Sequence, residues 1–235
     1  MQFKYVITNE VNPYRNLATE QALMGYAADG MAILFLWQNE NTIVVGRNQD
    51  VARECRLEAL LENGGHIARR RSGGGAVYHD MGNLNFSIIC KVAEQELYAY
   101  QKIVSDMLSQ FCIETEYNGR NDLSIDGKKF SGNAVYQDGD ALCQHGTLLI
   151  STDISRMVSL LTPNQGKLEQ HSVKSVASRV VNLSEINREI TVNSIKRAFI
   201  TSTNASALHY VPDQNLLNEF TEFYQSDTWI YGGKR

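Results

Sequence analysis

Three consecutive glycines, Gly73-Gly74-Gly75, follow the arginines Arg69-Arg70-Arg71 with only Ser72 between them, and no other run of three glycines occurs in this chain. Glycine loses more conformational entropy on folding than any other residue. A run of three therefore needs a local reason, such as positive φ or the close approach of a ligand to main chain. Successive N–H groups in such a loop can form a concave anion site. Neighbouring guanidiniums add planar donors suited to phosphate or carboxylate. A hairpin turn with an exposed basic face is the plainer reading of three glycines, and the arginines turn the balance toward an anion-binding loop. The stretch continues through Ala76-Val77-Tyr78-His79, a short strand signal, to a turn at Met81-Gly82-Asn83. It is neither a Walker A loop nor a dinucleotide fingerprint, because the further glycine or Gly-Lys-Ser/Thr does not follow.

The remaining pattern is that of an α+β domain with one main sheet. Residues 3–8 read as a strand, and Tyr14–Tyr26 as a helix with Leu17, Ala18, Leu23 and Tyr26 on its apolar face. Met31–Trp37 and Thr42–Val45 are apolar runs of strand length, expected in a covered sheet. Asp50 can cap a helix running to Glu62, which Asn63-Gly64-Gly65 would end. Leu84–Cys90 reads as a strand, and Gln95–Phe111 as a helix burying Ile103, Val104, Met107, Leu108 and Phe111. Asp126-Gly127 and Asp138-Gly139 mark hairpin turns. A strand at His145–Ser151, a helix from Asp153 to Leu161, and helices near 192–202 and 213–225 complete the series. Residues 163–182 are polar and of a length suited to a mobile segment covering an active site.

At 235 residues the chain suffices for one large domain. A formal net charge of −4 argues against general nucleic-acid binding while allowing a local basic site. No apolar run approaches the roughly 20 residues that span a bilayer, and the first residues lack a signal-peptide pattern, so the cytoplasm is the expected location. The four cysteines, Cys55, Cys90, Cys112 and Cys143, are scattered without a Cys-x-x-Cys pair. That spacing suits neither a disulfide framework nor structural zinc, so reduced thiols are expected.

The stretch Arg-Arg-x-Ser-Gly-Gly-Gly-Ala-Val-Tyr-His-Asp-x-Gly-Asn closely resembles the signature of lipoate–protein ligases. Further matches follow in order: Gly119-Arg120-Asn121-Asp122, Lys128-Lys129-Phe130-Ser131-Gly132-Asn133-Ala134, His145-Gly146-Thr147-Leu148-Leu149, and Ser175–Leu183. The resemblance covers nearly the whole chain. It implies the catalytic domain that lipoate ligases share with biotin ligases, related to class II aminoacyl-tRNA synthetases. Such a domain has a central mixed or mainly antiparallel sheet flanked by helices. The implied reaction activates lipoate with ATP and Mg²⁺ to lipoyl-AMP. The lipoyl group then passes to a lysine of the lipoyl domains of 2-oxoacid dehydrogenases or of glycine-cleavage H protein.

By the same resemblance Lys129 is the active-site lysine. Arg70, Gly75, Ala76, Val77 and Tyr78 hold the nucleotide, and Asn83, Asn121 and Asp122 orient it, Asp122 with its magnesium. Gly74, Trp37, His79 and His145 join Lys129 at the acyl chain. Taken without the resemblance, each has a plainer reading: a solvated hairpin tip at Lys128-Lys129, a turn cap at the asparagines, core packing at Trp37. The chain's end, Asp227–Arg235, resembles the end of the large domain in longer ligases. A smaller accessory domain, absent here, would then be a separate chain, a truncation or dispensable. Transfer from supplied lipoyl-adenylate would in that case outpace adenylation by the isolated chain.

Two rivals are weighed against this reading: a cysteine-dependent octanoyltransferase or lipoyl amidotransferase, and a non-catalytic protein that binds lipoate or lipoyl domains. The first needs an activated thiolate, and Cys112 and Cys143 are its candidates by position. The expected outcome is that replacing both with alanine preserves lipoate transfer apart from packing loss. Mass spectrometry of the enzyme during turnover checks this, since a trapped acyl-thioester on either residue would reverse the assignment.

Overall fold

Strand alternation decides how this molecule is layered. The computed structural model describes residues 2–117, 121–162 and 179–232. Strand β1 (Gln2–Ile7) leads through helix α1 (Pro13–Met24) to β2 (Met31–Trp37). Strands β3 (Thr42–Val45), β4 (His66–Arg69) and β5 (Val77–His79) form a separate small sheet, ordered β4-β3-β5. The chain then returns to the main sheet with β6 (Asn83–Lys91), β7 (Glu116–Tyr117), β8 (Asp122–Ile125), β9 (Lys128–Asp138), β10 (Ala141–Leu149) and β11 (Ser206–Ala207). The main sheet has the order β11-β1-β2-β6-β10-β9-β8-β7. Strand β1 is parallel to both neighbours and the other pairs are antiparallel, which makes the sheet mixed.

Both faces of this sheet are covered. Leu34, Leu36, Phe86, Ile88 and Leu142 pack on one side with α4 (Tyr100–Ser109) and, later in the chain, Ile195 and Phe199 of a helix described below. Ile33, Phe35, Trp37, Ile89 and Cys143 pack on the other, with α1 and the small sheet. Burial on two sides is why Met31–Trp37 is apolar without a break. Past β10, Asp153 caps α5 (Ile154–Leu160), as its position suggests. Then follow α6 (Leu183–Ile186), α7 (Val192–Thr203), which carries Ile195 and Phe199, α8 (Gln214–Gln225) and α9 (Asp227–Tyr231). Asp126 and Gly127 both take positive φ in the β8–β9 turn, the geometry that an Asp-Gly hairpin requires.

Several expectations change. Helix α1 stops at Met24, and Tyr26 is exposed, its hydroxyl donating to the Val211 carbonyl. The helix expected from Asp50 to Glu62 is two, α2 (Val51–Glu54) and α3 (Leu57–Glu62). Cys55 between them is extended and pairs with Leu161, so a tertiary bridge overrides local helix propensity. The expected helix Gln95–Phe111 is a 3₁₀ segment, Val92–Tyr98, then a break at Ala99 before α4. The break turns Tyr100 inward to stack on Phe86, and leaves Phe111 half-buried beyond the helix end. Thr42–Val45 and the signal at Ala76–His79 recur as β3 and β5, but their assembly with β4 into a separate sheet, and the short helices α6 and α9, did not stand out in the sequence. The expected covering segment at 163–182 lies outside the described residues except for 179–182, which include a bridge from Val180 to Lys129.

Arg69 ties the C-terminal end to this frame. Its Nε and Nη2 donate to the Trp229 and Ile230 carbonyls of α9, and its Nη1 donates to those of Gly46, Arg47 and Gln49. Trp229 Nε1 donates back to the Arg69 carbonyl at 2.8 Å. Arg69→Met would strip these buried carbonyls of a charged donor. A destabilisation of roughly 2–3 kcal/mol is expected in urea unfolding, together with faster proteolysis at α9.

Candidate active site

One pleat of the main sheet carries a continuous row of functional side chains. Trp37 pairs with Asn85, Asn85 with Thr147, Thr147 with Gly132, and Gly132 with Asp122, each directly across a strand boundary. Two residues along, Phe35, Ser87, His145 and Ala134 form a second row on the same face. The first row, with His145 and Ala134 of the second, lines a cavity of about 270 Å³ that Val44, Arg70, the segment Gly74–Val77 and Leu17 of α1 complete. Small residues leave the space. A methyl group at Gly132 would lie 2.8 Å from Lys129 Nζ, and one at Gly146 would lie 2.7 Å from the Gly132 carbonyl.

Lys129 reaches the cavity through a β-bulge. Gly132 and Ala134 face the cavity, so plain alternation would put Phe130 there and send Lys129 into the opposite core. Instead Ser131 pairs with Leu123 while Lys129 pairs with Ser124, which leaves one extra residue on β9. Phe130 joins the core behind the sheet, and Lys129 lines the cavity with Nζ 2.8 Å from Asp122 Oδ1. The Lys129 main chain is held a second time, donating to the Arg179 carbonyl and accepting from Val181 N. Lys128, at the hairpin tip, is exposed.

The glycine loop is held from beneath. Arg70 is buried, and its Nη2 donates to the Gly73 and Gly75 carbonyls, its Nε to Ser72 Oγ and its Nη1 to the Val44 carbonyl. Burial pulls its pKa down to about 10, which leaves it charged at neutral pH. Gly74 takes φ +91°, and a methyl there would lie 2.8 Å from Arg70 Nη2, so this glycine is required twice over. The three arginines do not form an exposed basic face. Arg69 serves α9, Arg70 serves the loop, and Arg71 lies 3.8 Å from Asp138 with its guanidinium over the Phe223 ring.

Ser72 Oγ lies 2.6 Å from His145 Nε2, and His145 Nδ1 lies 2.9 Å from Glu20 Oε1. The spacing imitates a Ser-His-Glu triad. Ser72 is nevertheless 1% exposed and accepts from Arg70, so it anchors the loop and has no access to a substrate carbonyl. Burial favours a neutral Glu20, but the His145 ring and hydrogen bonds from His145, Ser87 and Cys143 outweigh that and hold it below the ordinary carboxylate value. Burial, then Glu20, pushes the Cys143 thiol well up, the opposite of an activated thiolate. Cys112 is exposed and lies away from the cavity. His79 is neutral: burial, Arg70 and His145 bring its pKa to about 3. Its Nδ1 faces the amides of Asn39 and Asn85, so Nε2 carries the proton toward Thr147 Oγ1 at 3.0 Å.

Of the residues singled out in the sequence, Trp37, Arg70, His79, Asn121, Asp122, Lys129 and His145 line the cavity, as do Gly74, Gly75, Ala76 and Val77. Two do not. Tyr78 points its hydroxyl at Asn41, and Asn83 closes its own turn by accepting from Asp80 N. Glu20, Ser72, Asn85 and Thr147 were missed. Glu20 sits between Leu17 and Leu23 on the apolar side of α1, and Asn83, Asn85 and Ser87 alternate with Leu84, Phe86 and Ile88. Polar residues at core positions were the signal for both.

Residues 12–204 match the family described as the lipoyl protein ligase A/B catalytic domain. The chain is 37% identical to the lipoate-protein ligase A of Bdellovibrio bacteriovorus, over 98% of this chain and 72% of that protein. The solved P. falciparum LipL1 in complex with lipoate has the same fold with a TM-score of 0.83 and 29% identity, over 99% of this chain and 75% of that one. A lipoate-protein ligase A bound with ATP aligns with a TM-score of 0.81 over 98% of both chains; at 22% identity this is a likeness of fold.

The buried neutral histidine makes stability depend on pH. Unfolded His79 takes up a proton below its ordinary value of 6.5, whereas folded His79 does so only near pH 3. Its contribution is complete above pH 6.5 and declines as the pH falls toward 3. Between pH 7.5 and pH 5 it should account for about 2 kcal/mol of lost stability. Urea unfolding at those two values should show a loss smaller by that amount in His79→Gln.

Proposed function

This chain belongs to the lipoate-protein ligase family, and on that premise we infer that it is an ATP-dependent lipoate–protein ligase whose chemistry centres on Lys129. The observation that carries this reading is the bulge that brings Lys129 to line the same cavity as Trp37, Arg70 and the glycine loop. Activating lipoate brings a carboxylate against the α-phosphate of ATP, and two anions approach only beside a fixed cation. Lys129 is that cation. A lipoate carboxylate oxygen attacks phosphorus, pyrophosphate leaves, and lipoyl-AMP forms. The neutral ε-amine of an acceptor lysine then attacks the acyl carbon; AMP leaves, and the amide forms with loss of a proton. During transfer Lys129 stabilises negative charge on the acyl oxygen.

The cavity is built for an apolar chain with a charged end. Leu17, Trp37 and Val44 offer apolar contact, while neutral His79, fixed through Thr147, adds no charge beside the dithiolane end. At the rim, Asp122 and Asn121 offer hard oxygen donors of the kind Mg²⁺ takes beside nucleotide phosphates, and Asp122 would hold an ion that offsets phosphate charge. The acceptors proposed are lipoyl domains of 2-oxoacid dehydrogenases and glycine-cleavage H protein. A cysteine-dependent transferase is not favoured, since Cys143 is buried with a raised pKa and Cys112 lies off the cavity.

Lys129→Ala should lower the turnover of lipoate- and ATP-dependent pyrophosphate release about 10²–10³-fold with an unchanged melting transition. Lys128→Ala, at an exposed hairpin tip, should have a small effect. A folded Lys129→Ala protein with near-normal turnover would remove Lys129 from the mechanism.

A further inference from the structure

Glu20 of α1 lies at the junction of two hydrogen-bonded arms. In one, Trp37 Nε1 donates to Ser87 Oγ at 3.0 Å, and Ser87 Oγ donates to Glu20 Oε1 at 2.5 Å. In the other, His145 Nδ1 lies 2.9 and 3.0 Å from the two carboxylate oxygens, and His145 Nε2 meets Ser72 Oγ at 2.6 Å. Arg70 Nε donates to that same Ser72 oxygen, and Arg70 also holds the Gly73 and Gly75 carbonyls. Glu20 is 1% exposed and does not line the cavity, so it touches the reaction only through these neighbours.

An ionised carboxylate only accepts hydrogen bonds, and that fixes the direction of the bonds Glu20 receives from each arm. Ser87 must turn its hydrogen to Glu20, which leaves a lone pair for Trp37. His145 must present an Nδ1 proton to Glu20, and in the neutral ring Nε2 then accepts from the Ser72 hydroxyl while the Ser72 lone pairs remain for Arg70. Every buried donor and acceptor along both arms is then matched. With Nε2 protonated instead, the ring and Arg70 would both donate to Ser72, and the serine hydrogen would lose its acceptor on His145.

We propose that Glu20 is a positioning residue for ligation: one buried carboxylate sets the His145 tautomer, and through Ser72 and Arg70 it holds the glycine loop in the shape that receives ATP. This rests on the reading of that loop as the nucleotide site. Glu20→Gln has nearly the same shape, but an amide presents a donor to one arm and reverses it.

Calorimetric titration of ATP into wild type, Glu20→Gln, Ser72→Ala and the double variant tests the relay. About tenfold weaker ATP binding is expected for Glu20→Gln, the scale of one misdirected hydrogen bond. The double variant should bind no more weakly than Ser72→Ala, because the path runs through that serine. Unchanged affinity in a folded Glu20→Gln protein, or losses that add in the double variant, would overturn the proposal. A second measurement needs no variant to fold: ¹⁵N-histidine NMR of the wild type at pH 8 should find His145 protonated on Nδ1 alone, and a proton on Nε2 overturns it. A wild type that binds neither ATP nor lipoate refutes the ligase reading, and the tautomer then decides the relay by itself.

Discussion

Because both faces of the main sheet are covered, a polar side chain on its central strands has to find every partner inside the protein. Asn85, Ser87, His145 and Thr147 meet that demand by bonding to one another and to residues of the covering layer: Glu20 from α1, His79 from the small sheet, Ser72 from the loop. The same bonds fix the cavity walls. A site assembled this way is rigid because misplacing any one member strands a buried donor or acceptor in a low-dielectric interior. The cavity therefore combines apolar contacts at Leu17, Trp37 and Val44 with polar groups that have little freedom to turn.

Charge follows the same logic. Arg70 is a buried cation whose donors face the loop carbonyls, and the negative charge of Glu20 offsets its burial. Anion attraction in this cavity is thus divided: Arg70 shapes the loop that a phosphate would meet, and Lys129, less buried and paired with Asp122 at 2.8 Å, keeps a cation within reach of substrate. The chain's net charge of −4 carries no trace of this arrangement, which depends on two side chains and their surroundings.

Local signals in the sequence were read correctly where local chemistry decides the structure. Met31–Trp37, Thr42–Val45 and the Asp126-Gly127 turn emerge as expected, since burial on two faces and paired positive φ are written in the residues themselves. Lys129 and most of the glycine segment were placed in the site by ordered motifs. What escaped was set by distant partners: the break at Cys55, paired to Leu161, the inward turn of Arg69 and Arg70, and Glu20, whose significance depends on strands far along the chain. Tyr78 carries the motif yet faces away from the cavity, because alternation sends it to the side opposite Val77 and His79, whereas Asn83 shares the face of Asn85 but sits at the strand's end, where its side chain closes the turn.

The bulge at Phe130 also determines which genetic changes the site can survive. Lys129 and Phe130 are adjacent codons assigned to opposite layers of the protein by a single extra residue on β9. Point substitutions beside them leave that count intact. An in-frame deletion of one codon at 130 or 131 would heal the ladder and carry the lysine one residue's rise, about 3.3 Å, toward Gly132, where Nζ already stands within contact of any added atom. An in-frame insertion there would turn the ammonium toward the hydrocarbon layer behind the sheet. A lineage keeping this chemistry can thus vary the letters around Lys129 more freely than it can vary their number.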